Sequence, residues 1–194
     1  MLLFGASGEA TFDNIHATLV IDGNPYRLVD SIADLASHVT ANPSCNFALA
    51  NNIDATALGT LTASPVTTIL TGNFDGLGHT VSNLTIKSPH AQIGLFKQVG
   101  SGTTGSLSNL TLKNADIRGT NDSADVGALV GYADNPNGAI WGIRVGGNVA
   151  GQNSAEVGGI VGLDYGPISS SSSSAAVTGK SDAYVGGIMG GGDN

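Results

Sequence analysis

The chain has 194 residues, 41% hydrophobic, 5% aromatic and 11% charged, with seven Lys plus Arg against 15 Asp plus Glu and a formal net charge of −8 at pH 7. That is enough for one sizeable core and too apolar for a disordered chain, while the acidic balance makes nucleic acid and anionic membrane surfaces poor partners. No apolar run approaches the ~20 residues of a membrane-spanning helix, and no basic region followed by an apolar segment marks an export signal, so the chain reads as a non-integral protein and an internal fragment.

Taken in order, Ala17–Ile21 is a short β run, Asp22-Gly23-Asn24-Pro25 carries turn chemistry, and Tyr26–Val29 resumes extension, which predicts a hairpin. The period then changes. Ile32, Leu35, Ala36 and Val39 fall at i, i+3, i+4 and i+7 behind a capping Asp30 or Ser31, predicting one amphipathic helix. Residues 1–41 read as strands and a helix that cap the apolar end of the β-array formed by the rest of the chain. Cys45 cannot form an internal disulfide and reads as a small buried hydrophobe. Phe47–Asp54 is a strand ending in a polar turn, residues 55–65 read as a loop, and Val66–Leu70 is again strand-like.

From residue 92 one phrase returns four times, near 92–96, 125–131, 156–162 and 184–190. Its glycines are Gly94, Gly127 and Gly131, Gly158 and Gly162, Gly186 and Gly190. Gly94 to Gly127 is 33 residues, Gly127 to Gly158 is 31 and Gly158 to Gly186 is 28, within the range of solenoids and arrays. Between the phrases, Leu110, Leu112 and Ile117-Arg118-Gly119 match Ile143, Val145 and Val149-Ala150-Gly151, then Ser171, Ser173 and Val177-Thr178-Gly179. Each repeat offers three apolar runs, 107–112, 115–118 and 126–130 in the clearest copy. Helices are disfavoured by 29 glycines, each costing about 1 kcal/mol relative to alanine. A propeller blade needs ~40 or more residues, so ~30 residues with short strands predict one coil of a right-handed parallel β-helix spanning 42–194 in one structural domain. By this register Ser169–Ser174 is not a linker. Ser171 and Ser173 face the core, need a stacked serine or a backbone carbonyl as partner and make this coil the weak rung, so that Ser171→Val is expected to stabilise, provided the interior accepts the added volume and no serine partner is stranded, and outward Ser170→Val to change stability little.

The run Phe74-Asp75-Gly76-Leu77-Gly78-His79-Thr80-Val81-Ser82-Asn83-Leu84-Thr85-Ile86, then Gly94-Leu95-Phe96 and the Val-Gly-Ala/Gly-Leu/Ile-Val-Gly phrases, resembles the GLUG-type repeats of filamentous-haemagglutinin-like bacterial exoproteins. Tyr26–Val29 and Phe47–Asp54 resemble the segment that precedes such repeats. The resemblance covers about residues 20–191. It implies a β-helix in a large secreted adhesin at a Gram-negative-type surface, whose partner is a host-cell or neighbouring-cell receptor or glycan.

Few residues point to chemistry. Asp75 and His79 would make an acid–base pair, but no nucleophile, second carboxylate or metal-ligand spacing joins them, and a glycine corner at Gly76 and Gly78 explains both. Asp122, Asp125, Asp134, Asp164 and Asp182 recur near turns, yet a calcium site needs ~6–8 converging oxygens and the calcium-binding β-roll pattern is absent. Asn135-Pro136-Asn137-Gly138 echoes a tetrapeptide of exoprotein secretion domains and reads as a turn. The expected function is therefore a structural and adhesive segment without catalytic residues, cofactor or metal ion, with end-to-end self-association at its C-terminal end. The alternative is a carbohydrate-binding or carbohydrate-active β-helix of lyase or epimerase type, with Trp141 as a sugar platform. That reading needs a groove gathering three or more ionisable side chains, and the scattered cations predict none.

Overall fold

In the computed structural model, residues 8–102 and 104–192 are described. The chain winds into a parallel β-solenoid of about 5 turns with roughly 31 residues per coil. Among the described residues, every long-range strand pairing is parallel and joins one coil to the next, the only antiparallel pair being the N-terminal hairpin.

That hairpin joins β1 (Leu19–Ile21) to β2 (Asn24–Val29) with Ile21 opposite Asn24. Asp22 and Gly23 take φ of 50° and 80°, the left-handed pair that a two-residue turn between twisted strands requires. The predicted helix is α1 (Ile32–Ala41), whose N-cap is Ser31, its Oγ accepting from Asp34 N–H at 3.1 Å. β3 (Asn46–Leu49) then pairs in parallel with β2, making the helix a crossover. Ile32, Leu35 and Val39 are buried in the same core as Phe47, Val66 and Leu70, so the helix closes the interior where a further coil would otherwise sit. Cys45 departs from expectation: it lies in the turn that follows α1, where Cys45 N–H donates to Asn42 C=O, and its side chain is exposed.

The three apolar runs of each repeat resolve into four faces. In the clearest coil these are Ser106–Ser108, Thr111–Gly119, Asp125–Gly127 and Val130–Ala133. The extra division comes at a corner where Asn109 adopts φ 52°, and the second face bends again at Asn114, φ 54°, where its register with Arg144–Ala150 shifts. Asparagine tolerates this backbone, which hydropathy alone does not reveal. Residues 55–65, expected to loop out, instead hold a 3-10 turn at Ala55–Leu58 and a strand, Thr60–Leu61, paired with Thr85–Ser88. Val66 and Leu70 are fully buried, each joined to the next coil by a single bridge.

The core is a column of like residues. Phe47 stacks under Phe74, Phe74 under Leu107, Leu107 under Ile140 and Ile140 under Ile168. Phe74 also meets Phe96 edge-on at 5.2 Å across the interior. Toward the far end the column loosens: Val126 and Val157 are fully buried, while Val185, next in the same register, is 48% exposed and Tyr184 66%.

The phrase glycines sit where the third face turns into the fourth. A Cβ on Gly158 would collide with Val161 O and lie 2.7 Å from Gly190 N, so only a hydrogen fits between two strands of its own coil and the next. Gly158→Ala is expected to cost about 3 kcal/mol or more. Gly187→Ala, with open space around it, should stay within about 0.5 kcal/mol. Denaturant melts of the two variants check this, and equal effects would deny the close approach.

The serine coil keeps the expected register, with Val145 paired to Ser173 and the alternation of half-buried Ser171 and Ser173 with exposed Ser170, Ser172 and Ser174. Its hydroxyls, however, bond backbone. Ser171 Oγ accepts from Ile143 N–H at 3.1 Å and donates to Ser169 C=O at 2.9 Å, and Ser173 Oγ accepts from Ala175 N–H at 3.2 Å. The expectations for both substitutions therefore reverse. Ser171→Val strands the Ile143 N–H and should lower stability by about 1 kcal/mol. Ser170 holds φ 49°, where a β-branched side chain is strained, so Ser170→Val is destabilising as well. Exposed Ser172→Val is the neutral comparison in the same melts.

Candidate functional site

The residues singled out at Asp75–His79 form one corner, and the structure commits both ionisable groups to backbone. Asp75 is 3% exposed; its Oδ1 accepts from Leu77 N–H at 2.8 Å, and both carboxylate oxygens accept from Asn109 Nδ2 at 3.0 and 3.1 Å. Burial pushes its pKa up, while the Asn109 and Leu77 hydrogen bonds oppose the rise. His79 is fully buried, and its Nε2–H donates to Ala10 C=O at 2.9 Å. That partner comes from an extended segment, residues 8–12, which lies across the corner: Ala10 N–H donates to Leu77 C=O, and a Cβ on Gly78 would strike Gly8 O. Glu9 meets Asn52 Nδ2 at 3.1 Å and stands 3.5 Å from His79 Nδ1. Nothing in the hydropathy of residues 8–12 announces this strap.

The recurring acidic residues do not converge. Asp122 caps Asn153 through its N–H and Nδ2, Asp134 is half-buried, Asp164 is fully buried and Asp182 is exposed at φ 57°. Among the described residues, no three His, Cys, Asp or Glu side chains come together as metal ligands. Asn135–Gly138 closes as a turn, Gly138 N–H donating to Asn135 C=O at 2.8 Å.

Stacking does bring together groups that are far apart in sequence. Asp54, Asn83 and Asn114 form a ladder along the bend of the second face, with Asn83 Nδ2 to Asp54 Oδ1 at 2.9 Å and Asn114 Nδ2 to Asn83 Oδ1 at 3.3 Å. Hydrogen bonds from Thr56 and Asn83 lower the Asp54 pKa to about 2. The expectation that no groove gathers three ionisable groups is wrong. Lys87, Arg118 and Lys180 line one cavity of about 330 Å³, because Lys87 and Arg118 are partners on adjacent strands. Arg118 is partly neutralised by Asp116, 2.9 Å from its Nε. All of this is exposed surface with one carboxylate already paired.

On the third face, Gln92, Asp125, Glu156 and Tyr184 occupy successive rungs. Burial, then the neighbouring Glu156 charge, raises Asp125 to about 7, and burial raises Glu156. Burial also raises Asp164 to about 6.

No protein-family model matches the chain, and no solved structure does. Halomucin from Haloquadratum walsbyi (strain DSM 16790 / HBSQ001) is similar, at 39% identity over 168 residues. The match covers 77% of this chain and 2% of that protein, so the chain spans about 2% of the length of the curated relative it resembles. A β-solenoid and a distant match to so large a protein fit a structural or surface role.

The raised carboxylates fix the sign of a pH dependence. Their folded-state values lie above the unfolded 3.8 of aspartate, so their contribution is complete below about pH 4 and is lost as pH rises through 6 and 7. Asp54 acts oppositely, its contribution disappearing as pH falls toward 2. The thermal midpoint should therefore fall between pH 5 and pH 8, and Asp125→Asn should flatten that fall and raise the midpoint at pH 8. Circular dichroism melts across this range decide it. A wild-type midpoint that climbs to pH 8 would contradict the buried column.

Proposed function

We propose that the chain is a structural segment of a large secreted or cell-surface adhesin, a rigid stalk that carries turns and loops outward toward a receptor or glycan on another cell and performs no chemistry itself. The observation that carries this reading is the coil-on-coil stack of parallel strands. Four faces run from coil to coil with parallel pairing, and the rows of backbone hydrogen bonds lie along one axis, so each coil adds ~4.8 Å of stiff length. Similarity to a stretch that is only 2% of halomucin supports a place within a very long polypeptide.

The burial of Asp75 and His79, with their hydrogen bonds to Leu77, Asn109 and Ala10, supports a non-catalytic reading, since a turn corner accounts for both residues. Exposed Tyr184 and Val185 are apolar surface that supports contact with a second copy.

The test is display. An antibody raised against residues 106–164 should label intact cells that make the parent protein, and the purified chain should associate end to end in light scattering as concentration rises. Labelling only after lysis would overturn the surface reading. Release of unsaturated or reducing sugar ends from a polysaccharide panel by the purified chain would overturn the absence of chemistry.

A further inference from the structure

Three of the chain's seven Lys and Arg residues, Lys87, Arg118 and Lys180, line one cavity of about 330 Å³ on the surface of an otherwise acidic protein. The winding assembles it. Lys87, Arg118, Ala150 and Thr178 hold one position on four successive rungs, and two residues further along the chain Thr120, Gln152 and Lys180 line the same groove. No carboxylate is among the lining side chains, and among the described residues Lys87 and Lys180 form no ion pair. Lys87 and Arg118 lie directly opposite each other on adjacent strands, where like charges repel and an anion between them relieves the repulsion.

The donors are open. Arg118 gives its Nε–H to Asp116 at 2.9 Å, which steadies the guanidinium. Its paired Nη–H groups, the fork that fits two oxygens of one oxyanion, have no partner among the described residues. The side chains of Lys87, Arg118, Thr120, Thr178 and Lys180 are all exposed. Gln152 is spent differently: its Nε2 donates to Gly119 C=O at 3.3 Å and closes the floor between two coils.

The lining also selects the ligand. No aromatic side chain and no aliphatic one larger than Ala150 lies in the groove, so it offers a peptide no apolar anchor and a nucleic-acid base no stacking surface. The net charge of −8 repels a densely charged polymer at long range. Within the groove the cations are spaced: the Thr178 rung, beside which Lys180 stands, is two strand steps from Arg118, on the order of 10 Å, with only the methyl group of Ala150 between. That arrangement fits anionic groups separated by a neutral unit. We infer that the groove binds an acidic polysaccharide whose carboxylate or sulfate groups alternate with neutral sugars. Lys87 and the Arg118 fork hold one anionic group, Lys180 holds the next, and the Thr120 and Thr178 hydroxyls bond the sugar hydroxyls between them.

This goes beyond the stalk reading, because a stalk needs no ligand on its outer face; cell labelling tests the one and titration the other, so either can fail alone. Calorimetric titration of the whole chain at low ionic strength uses hyaluronan oligosaccharides, which carry carboxylates only, and chondroitin sulfate oligosaccharides, which carry sulfates as well. Saturable binding of at least one is expected, and none of uncharged maltohexaose. Hyaluronan binding as tightly as chondroitin sulfate assigns the site to the carboxylate, and tighter chondroitin sulfate binding assigns it to the sulfate. Salt at about 1 M, where the Debye length is about 3 Å, should remove the binding. The double substitution Lys87→Gln with Arg118→Gln should weaken it at least about tenfold, and Lys180→Gln should weaken it too. Lys113→Gln, exposed on the same strand as Arg118 but outside the groove, should leave it unchanged, with circular dichroism checking the fold of each variant. No binding of either acidic series, equal binding of maltohexaose, affinity unaltered in the double variant, or tighter binding of polyglutamate or a single-stranded oligonucleotide would each overturn the inference.

Discussion

The fold depends on one repeated interaction, the parallel backbone ladder that ties each coil to the next at a single strand spacing. It holds wherever the chain returns to the same position about 31 residues later: Leu112 beside Val145, Val126 beside Val157, Val130 beside Val161. Because both neighbours of an inner strand are coils of the same shape, a residue is judged by the residue one coil above and one below. Branched aliphatics stack on branched aliphatics and fill a narrow interior to full burial. The glycine phrases are a consequence. At the turn between the third and fourth faces two backbones approach too closely for any Cβ, and this recurs in every coil because the ladder imposes the same corner each time.

Polar side chains obey the same geometry, with different results. Asparagine above asparagine is favourable, each amide donating to the oxygen of the next, and it holds the bends of the second face in left-handed backbone. Burial, and after it the charge of Glu156 on the next rung, raises the Asp125 carboxyl above its ordinary value. Lysine beside arginine, on an exposed rung, produces a basic groove on an acidic protein. Serine under valine, Ser173 beside Val145, stays half-buried because the Ala175 N–H uses its hydroxyl. A solenoid therefore converts sequence periodicity into columns, and the columns decide local electrostatics.

The ladder is covered on its N-terminal side by non-repeat elements. At one end α1 buries Ile32, Leu35 and Val39 in the core and a short hairpin curls over the outer side, where Ile21 packs with Leu28, Ala48 and Leu77. In the rung of residues 184–186, Tyr184 and Val185 are exposed. The hairpin also lines a cavity of about 280 Å³ that reaches Trp141.

Much of this was legible in the sequence. Returning Val-Gly phrases at intervals of 33, 31 and 28 residues require like-on-like stacking, and 29 glycines among β-branched residues exclude a helical array, so the solenoid, its register and the single capping helix follow from periodicity and capping chemistry alone. The residues of the Asp75–His79 corner were visible as a motif for the same reason. What only the tertiary structure decided is what lies beside what across coils and across the surface. The strap at residues 8–12 has no periodicity to betray it, and the division between the first and second faces is made by left-handed Asn109. Lys87, Arg118 and Lys180 look scattered until the winding lines them up. Trp141 stands between Ser108 and Ser169 only because the coils stack in that register. Local patterns report the backbone path, but a surface site is a neighbourhood, and neighbourhood is set by how the coils stack.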